Sequence, residues 1–304
     1  MTMLFKPVMF RPLPRPVRPF PNETLSSYWG RLGAANHVPV EHVRLLSPWH
    51  GSLTSDTTKR TDELEILSGQ RERSLTLALP ELRWNEQGFA SLPERNSYLR
   101  QWACRLCAAA KFPGQPIQVW ALAHHTQVCT RHGLWIGKAV SQPQDQRDLE
   151  QLPGTISAQL CHRRLLRRYG PDRISLAHRA ARPFWRSLAG RYYTLAESDP
   201  TRLLQPRGSR TGWSPDLYAT AYPAVVTVMA MSMTPCWRAL LSDSMHTADV
   251  NHFLDEFFRR LPPDDPLHSD PHPYKIASMA GTVMRRVRRD LLRLPPGTRA
   301  SSMS

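Results

Sequence analysis

Four residues limit what this chain can fold into more than any others. Trp102-Ala103-Cys104-Arg105-Leu106-Cys107 carries two cysteines in C-x2-C spacing, and Cys129-Thr130-Arg131-His132 repeats that spacing with a histidine in second place. Each half can reach one ion across a tight turn. Three thiolates and one imidazole suit tetrahedral zinc and leave no coordination position for a reacting water. The pattern therefore predicts one structural Zn2+ held by Cys104, Cys107, Cys129 and His132. Metal binding and local folding would then be a single event. Two alternatives stay open at this point. A C-x2-C pair also occurs as a dithiol, and His124 or His125 could stand in for His132, although neither has the two-residue spacing from Cys129.

The chain has five cysteines in all, and three of them take part in this pattern. That usage reads as metal chemistry in a reducing, cytoplasmic setting rather than as a disulfide framework. Cys161 and Cys236 lie far outside the pattern and read as ordinary buried thiols. With 40 Lys+Arg against 25 Asp+Glu, the formal charge is +15 over 304 residues. The natural long-range partner is a polyanion, nucleic acid first. A membrane is disfavoured. Met1 to Phe10 is too short and proline-interrupted for a signal peptide. The uncharged stretch Leu217 to Trp237 is broken by Pro223 and Pro235 and diluted by Thr220, Thr227, Ser232 and Thr234, so it reads as a buried core helix.

Along the chain, residues 1–21 hold six prolines with Arg11, Arg15 and Arg18 between them, an extended arm by composition. Asn22 offers a helix cap before the periodic Leu25, Tyr28, Trp29 and Leu32. Short helices are expected at 40–46 and 62–67, the latter stopping at Gly69. Beyond the cysteines, helices are expected at 156–169 and 176–195, with Pro183 bending or splitting the second, and another should begin at Ser214-Pro215-Asp216. Val250, Phe253, Leu254, Phe257, Phe258 and Leu261 show the clearest helical period. A last helix starts near Tyr274, its apolar side running from Ile276 to Leu291.

The fold class this predicts is mainly α. It comprises an arm (1–21), an N-terminal helical, helix-turn-helix-like unit (22–100), a small zinc-ribbon-like unit (101–140), a basic helical C-terminal domain (141–295) and a disordered tail (296–304). Asp264, Asp265, His268, Asp270 and His272 lie between the last two helices with no standard metal-cage spacing, and read as a solvated loop. Gly133 to Lys138 is one residue short of a phosphate-binding P-loop and lacks the Ser or Thr after Lys138, so no nucleotide hydrolysis is expected of this chain. Nothing else in the sequence suggests catalysis.

Three ordered segments resemble the TniQ family, whose members take part in target selection by Tn7-like transposons. Pro21 to Leu32 is similar to the family's opening P-x-E-S-L-x-S-W-x-x-R-L, followed by an Asn such as Asn36. Leu64, Leu67, Ser68 and Gly69, with Leu75, Leu77, Leu79 and Pro80, are similar to its L-x-x-L-(S/T)-G helix and leucine-rich continuation. The cysteine segment, including Trp120 before its second half-site and Gly133 and Leu134 after it, is like W-x-L-x-x-x-x-x-C-P-x-H-G-x-x-L. Arg105 and Thr130 stand where the family usually has proline. The resemblance spans roughly residues 19 to 137. It implies a non-enzymatic adaptor that connects target DNA, or a CRISPR RNA-guided effector, to a TnsC-like AAA+ ATPase, some relatives acting as dimers.

Independently of that resemblance, Arg163, Arg164, Arg167 and Arg168 cluster on one predicted helix and Arg285, Arg286, Arg288 and Arg289 on another. Guanidinium groups suit forked phosphate contacts, while solvated helix faces in an arginine-rich protein are the plain reading of the same clusters. Two other functions stay open beside the adaptor: a zinc-containing DNA-binding transcriptional regulator, and a structural adaptor that binds no nucleic acid.

Overall fold

The computed structural model describes residues 11–46, 57–86, 98–122, 126–198, 214–243, 246–263 and 265–293. It is mainly helical. The chain divides into two compact units, residues 1–122 and 123–304. The division at 122/123 falls inside the stretch 101–140 that the sequence predicts as a separate unit.

The first unit begins with an extended segment, residues 11–20, laid along its own helices. The Leu13 amide donates to the Leu67 carbonyl at 2.8 Å, and the Tyr28 hydroxyl donates to the Val17 carbonyl at 2.8 Å. Asn36 pins the same segment, accepting from the Arg15 amide and donating to the Arg15 carbonyl. An arm expected from proline composition is thus, over residues 11–20, part of the folded unit. Its first ten residues lie outside the described chain.

Helix α1 (Leu25–Asn36) starts where the Thr24 hydroxyl accepts from the Ser27 amide, and it ends at His37 in the left-handed region. The cap is Thr24 rather than the expected Asn22. Helix α2 (Val40–Leu46) follows, then α3 (Thr57–Ser68), five residues longer at its start than the sequence suggested. Gly69 takes φ +64° after α3, the left-handed turn that favours glycine at this position. Helices α4 (Ser74–Ala78) and α5 (Pro80–Glu86) complete the bundle. Leu25, Tyr28, Leu32, Val43, Leu64, Leu75, Leu79 and Leu82 form its core with Val17, while Leu77 stays 73% exposed. Strands β1 (Tyr98–Trp102) and β2 (Gln118–Leu122) pair antiparallel around α6 (Arg105–Lys111), and Glu23 bridges to Val119 beside them.

The second unit opens with a small antiparallel sheet in the order β3 (Val128–Cys129), β4 (Leu134–Trp135) and β5 (Arg147–Asp148). Among the described residues six α-helices follow: α7 (Pro153–Tyr169), α8 (Pro171–Ser198), α9 (Pro215–Ser232), α10 (Pro235–Asp243), α11 (Thr247–Arg260) and α12 (Pro273–Leu292). Five of them begin on a proline, which costs no hydrogen bond in the first turn and presets φ for the helix. Helix α8 runs through Pro183 as one element, contrary to the expected break. Pro183 and Arg179, four residues earlier, are both exposed, so water can satisfy the carbonyl that loses its amide partner.

Helix α9, the uncharged stretch, is buried along nearly its whole length. No helix among the described residues is long and apolar enough to cross a membrane. The sheet and all six helices share one continuous apolar core. Two expectations are corrected in this unit. The stretch before α12 is solvated only in part: His268 and His272 are exposed, whereas two of its carboxylates are not. Asp265 is buried, accepting from the Tyr192 hydroxyl at 2.7 Å and the Leu267 amide at 3.0 Å, and Asp270 is buried against the Arg191 guanidinium. These carboxylates fold the connector onto α8, while Asp264 falls outside the described residues. Cys161 is only half-buried and Cys236 is exposed, because Trp237 rather than its neighbour turns into the core.

Candidate metal centre and basic surfaces

Cys104 is the N-cap of α6 and Cys107 lies in its first turn. Both thiols therefore stand at the end of a helix where backbone dipoles favour negative charge. Strand β1 fixes the approach to this turn, and the Ala103 amide donates to the Ile117 carbonyl at 2.8 Å. Cys104 is buried and Cys107 half-buried.

The second half-site is a β-turn knuckle. Cys129 ends β3, the His132 amide donates to the Cys129 carbonyl at 3.2 Å, and Gly133 at φ +59° turns the chain into β4. The knuckle is held from behind by two glutamines that no motif marked. Gln159 Oε1, on α7, accepts from the Gln127 and Val128 amides at 2.8 and 3.1 Å. Gln127 Oε1 accepts from the Lys138 amide at 3.0 Å. A single buried glutamine leaves no local sequence signal, since its partners lie 31 and 32 residues away.

The ligand atoms of Cys104, Cys107, Cys129 and His132 all lie within 4.8 Å of one another. Cys129 Sγ and His132 Nδ1 are 3.7 Å apart. Ligands at about 2.3 Å (sulfur) and about 2.0 Å (nitrogen) in tetrahedral array would be separated by about 3.6 Å. The four residues predicted from spacing thus form one group of the size and chemistry that a zinc ion takes. His124 and His125 lie outside the described residues.

The two predicted arginine clusters are both exposed. Arg163, Arg164, Arg167 and Arg168 line the outer side of α7, opposite the buried Gln159, His162 and Leu165. The Arg163 guanidinium reaches back to the Thr130 hydroxyl inside the knuckle at 3.1 Å. Arg285, Arg286, Arg288 and Arg289 line the outer side of α12, opposite Val283, Met284 and Val287. Each cluster is one face of one amphipathic helix.

A third basic group was not visible in the sequence. Lys138 follows the knuckle, and its ammonium lies 4.7 Å from the centroid of the Tyr218 ring and 5.4 Å from that of Trp185. Burial, together with the Arg186 and Arg182 charges, pulls its pKa down to about 8. The Tyr218 hydroxyl is pushed up by burial, with Arg186 opposing. Arg182 and Arg186 flank Trp185 on α8 and are exposed. Deeper in, Trp135, Trp185, Tyr218 and Tyr222 pack edge-on with ring centroids 5.5–6.2 Å apart, and the Tyr222 hydroxyl shares a 2.7 Å hydrogen bond with His162 Nδ1. This cluster supports the Lys138 loop: Trp135 Nε1 donates to the Lys138 carbonyl at 3.0 Å.

Compared with known proteins, the chain matches no family model, no curated protein and no solved structure.

Proposed function

We propose that this chain is a zinc-stabilised, non-enzymatic adaptor of the TniQ kind, acting in the cytoplasm to connect target DNA or an RNA-guided complex to a TnsC-like AAA+ ATPase during transposition. The observation that carries this reading is the Cys3His group, because it stands in the same order and spacing as in the resembling family and its ligand atoms converge.

The other two resembling segments support it, since their residues have joint structural work. Glu23 (0% exposed) accepts from the Phe20 amide, the Ser27 hydroxyl and the Arg31 guanidinium (3% exposed), with contacts of 2.5–2.9 Å. Asn36 ties the arm to α1, and Gly69 ends α3 beside Pro16. In this reading the ion is a scaffold. Cys104, Cys107, Cys129 and His132 would hold it, and it would supply coordination bonds rather than chemistry.

The test is a pull-down of the full chain with the AAA+ ATPase encoded in the same element, with and without duplex DNA. Retention of the ATPase in either condition is expected. Its absence in both would overturn the adaptor reading and leave a zinc-containing DNA-binding regulator as the better account.

A further inference from the structure

The group around Lys138 is unusual in composition. Three cations interact there, and among the described residues no carboxylate is paired with Lys138, Arg182 or Arg186. The nearest acid along the chain from Tyr218 is Asp216, and it is taken by Arg147 at 3.3 Å. Packing a lysine against two touching aromatic rings and beside two arginines works against folding, because like charges repel and partial burial weakens hydration. Cation–π attraction offsets only part of that. Such an arrangement is expected where the missing countercharge comes from a ligand.

The shape says which ligand. Trp185 is 1% and Tyr218 5% exposed, so neither ring can receive a base by stacking, as single strands require. The exposed charged side chains that flank Trp185 on α8, Arg182 and Arg186, are both cationic. Arg182 and Arg186 stand one helical turn apart, about 6 Å along α8, with the Lys138 ammonium between their helix and the knuckle loop. Phosphates on the outside of a duplex fit this surface, and base edges do not.

We propose that Lys138, Arg182 and Arg186 form a phosphate-contact site for the backbone of duplex DNA. The site rests on the nucleic-acid half of the function proposed above and is independent of the ATPase. It also explains the near-miss at Gly133 to Lys138: the lysine that fails as a P-loop lysine serves a phosphate in another setting. Its contribution is to hold the duplex without reading sequence, so Lys138, Arg182 and Arg186 are binding residues and not specificity determinants.

The experiment is a fluorescence anisotropy titration of the full, zinc-loaded chain with a 25-base-pair duplex over a salt series. The variants are Lys138→Met, Arg182→Gln/Arg186→Gln and their combination, each first confirmed to be folded by circular dichroism. Loss of about three phosphate contacts should make the slope of log affinity against log salt shallower by about 2 to 3. At low salt the combined variant should bind at least tenfold more weakly. Arg259→Gln/Arg260→Gln, which removes charges already paired with Glu256, should change the slope by less than half as much.

Raising the pH from 7 to 9 should weaken wild-type binding more than it weakens Lys138→Arg. A combined variant with wild-type affinity and slope would overturn the site while leaving DNA binding elsewhere intact. Displacement of the duplex by millimolar inorganic phosphate at constant ionic strength would overturn the duplex as ligand and point to a small free anion. A wild-type chain that binds no duplex even at low salt would overturn both the site and the nucleic-acid half of the proposed function. A failed ATPase pull-down alone would touch neither.

Discussion

The two units solve the problem of a stable core in different ways. The C-terminal unit buries an uninterrupted apolar surface from β3 to α12, with whole aromatic side chains such as Trp185, Phe253 and Phe257 at its centre. Among the described residues, the N-terminal unit has far fewer buried apolar side chains and also relies on charged groups inside. Glu23 joins the arm, α1 and Arg31. Glu65 accepts from the Arg73 and Leu75 amides at the start of α4, where the N-cap residue Arg73 supplies no cap of its own, and Glu81 accepts from the Leu25 amide. A small core that cannot exclude water over a large area gains specificity from such fixed polar joints, but each joint is a single point of failure.

The largest expected effect follows from that difference. Arg31→Met would leave the Glu23 carboxylate buried without its cation, at a cost of about 3–5 kcal/mol. Hydrogen exchange followed by peptide should show α1 and α3 losing protection while α9 keeps its own. Equal loss in both units would show that the two cores are energetically one.

A smaller effect is expected from the polar core of the second unit. Tyr222→Phe removes a hydroxyl shared with His162 and Gln159. It should cost about 1–3 kcal/mol, because the imidazole keeps a buried nitrogen with one partner fewer. Urea unfolding should register this as a lower midpoint with an unchanged slope. A neutral result would mean that apolar packing alone holds this unit.

The smallest effect is in the pH response, and there the units should move in opposite directions. Burial raises the Glu65 and Glu81 carboxyls above their ordinary values. The folded unit therefore binds more protons than the unfolded chain between about pH 4.5 and those raised values. Their contribution to stability increases as pH falls through that window. Glu256 on α11 is lowered, chiefly by its hydrogen bond to Arg259. Its contribution is present at neutral pH and is lost as pH falls through its depressed value, a small effect because its partners Arg259 and Arg260 are exposed. Denaturation of wild type against Glu65→Gln/Glu81→Gln at pH 5 and 7 separates these: the variant should lose the acid-side gain. A variant whose pH dependence matched wild type would assign that dependence to other groups.

What could be read from the sequence follows how local each signal is. Helix α11 was plain because five apolar residues repeat within it and Leu261 continues the period at its C-cap. The candidate metal ligands were plain because each half-site is complete within four residues. Asp265 and Asp270 were misread because their partners, Tyr192 and Arg191, stand 73 and 79 residues away. Lys138 and Arg186 are 48 positions apart and meet only because α8 packs beneath the knuckle loop, so no window along the chain joins them. The arm was legible as extended chain, but its seat on the unit's own helices was not. Proline fixes extended backbone, but whether such backbone is free or laid on a surface depends on distant acceptors such as the Leu67 carbonyl.

The central claim is that Cys104, Cys107, Cys129 and His132 hold one ion on which the fold depends. Metal content of the purified full chain, measured by inductively coupled plasma mass spectrometry beside Cys104→Ala, addresses it directly. One zinc per wild-type chain is expected, with the variant losing both the metal and hydrogen-exchange protection over β1, α6 and the Cys129–His132 knuckle. A Cys104→Ala chain that kept its zinc and that protection, or a metal-free wild type with its fold intact, would contradict the claim.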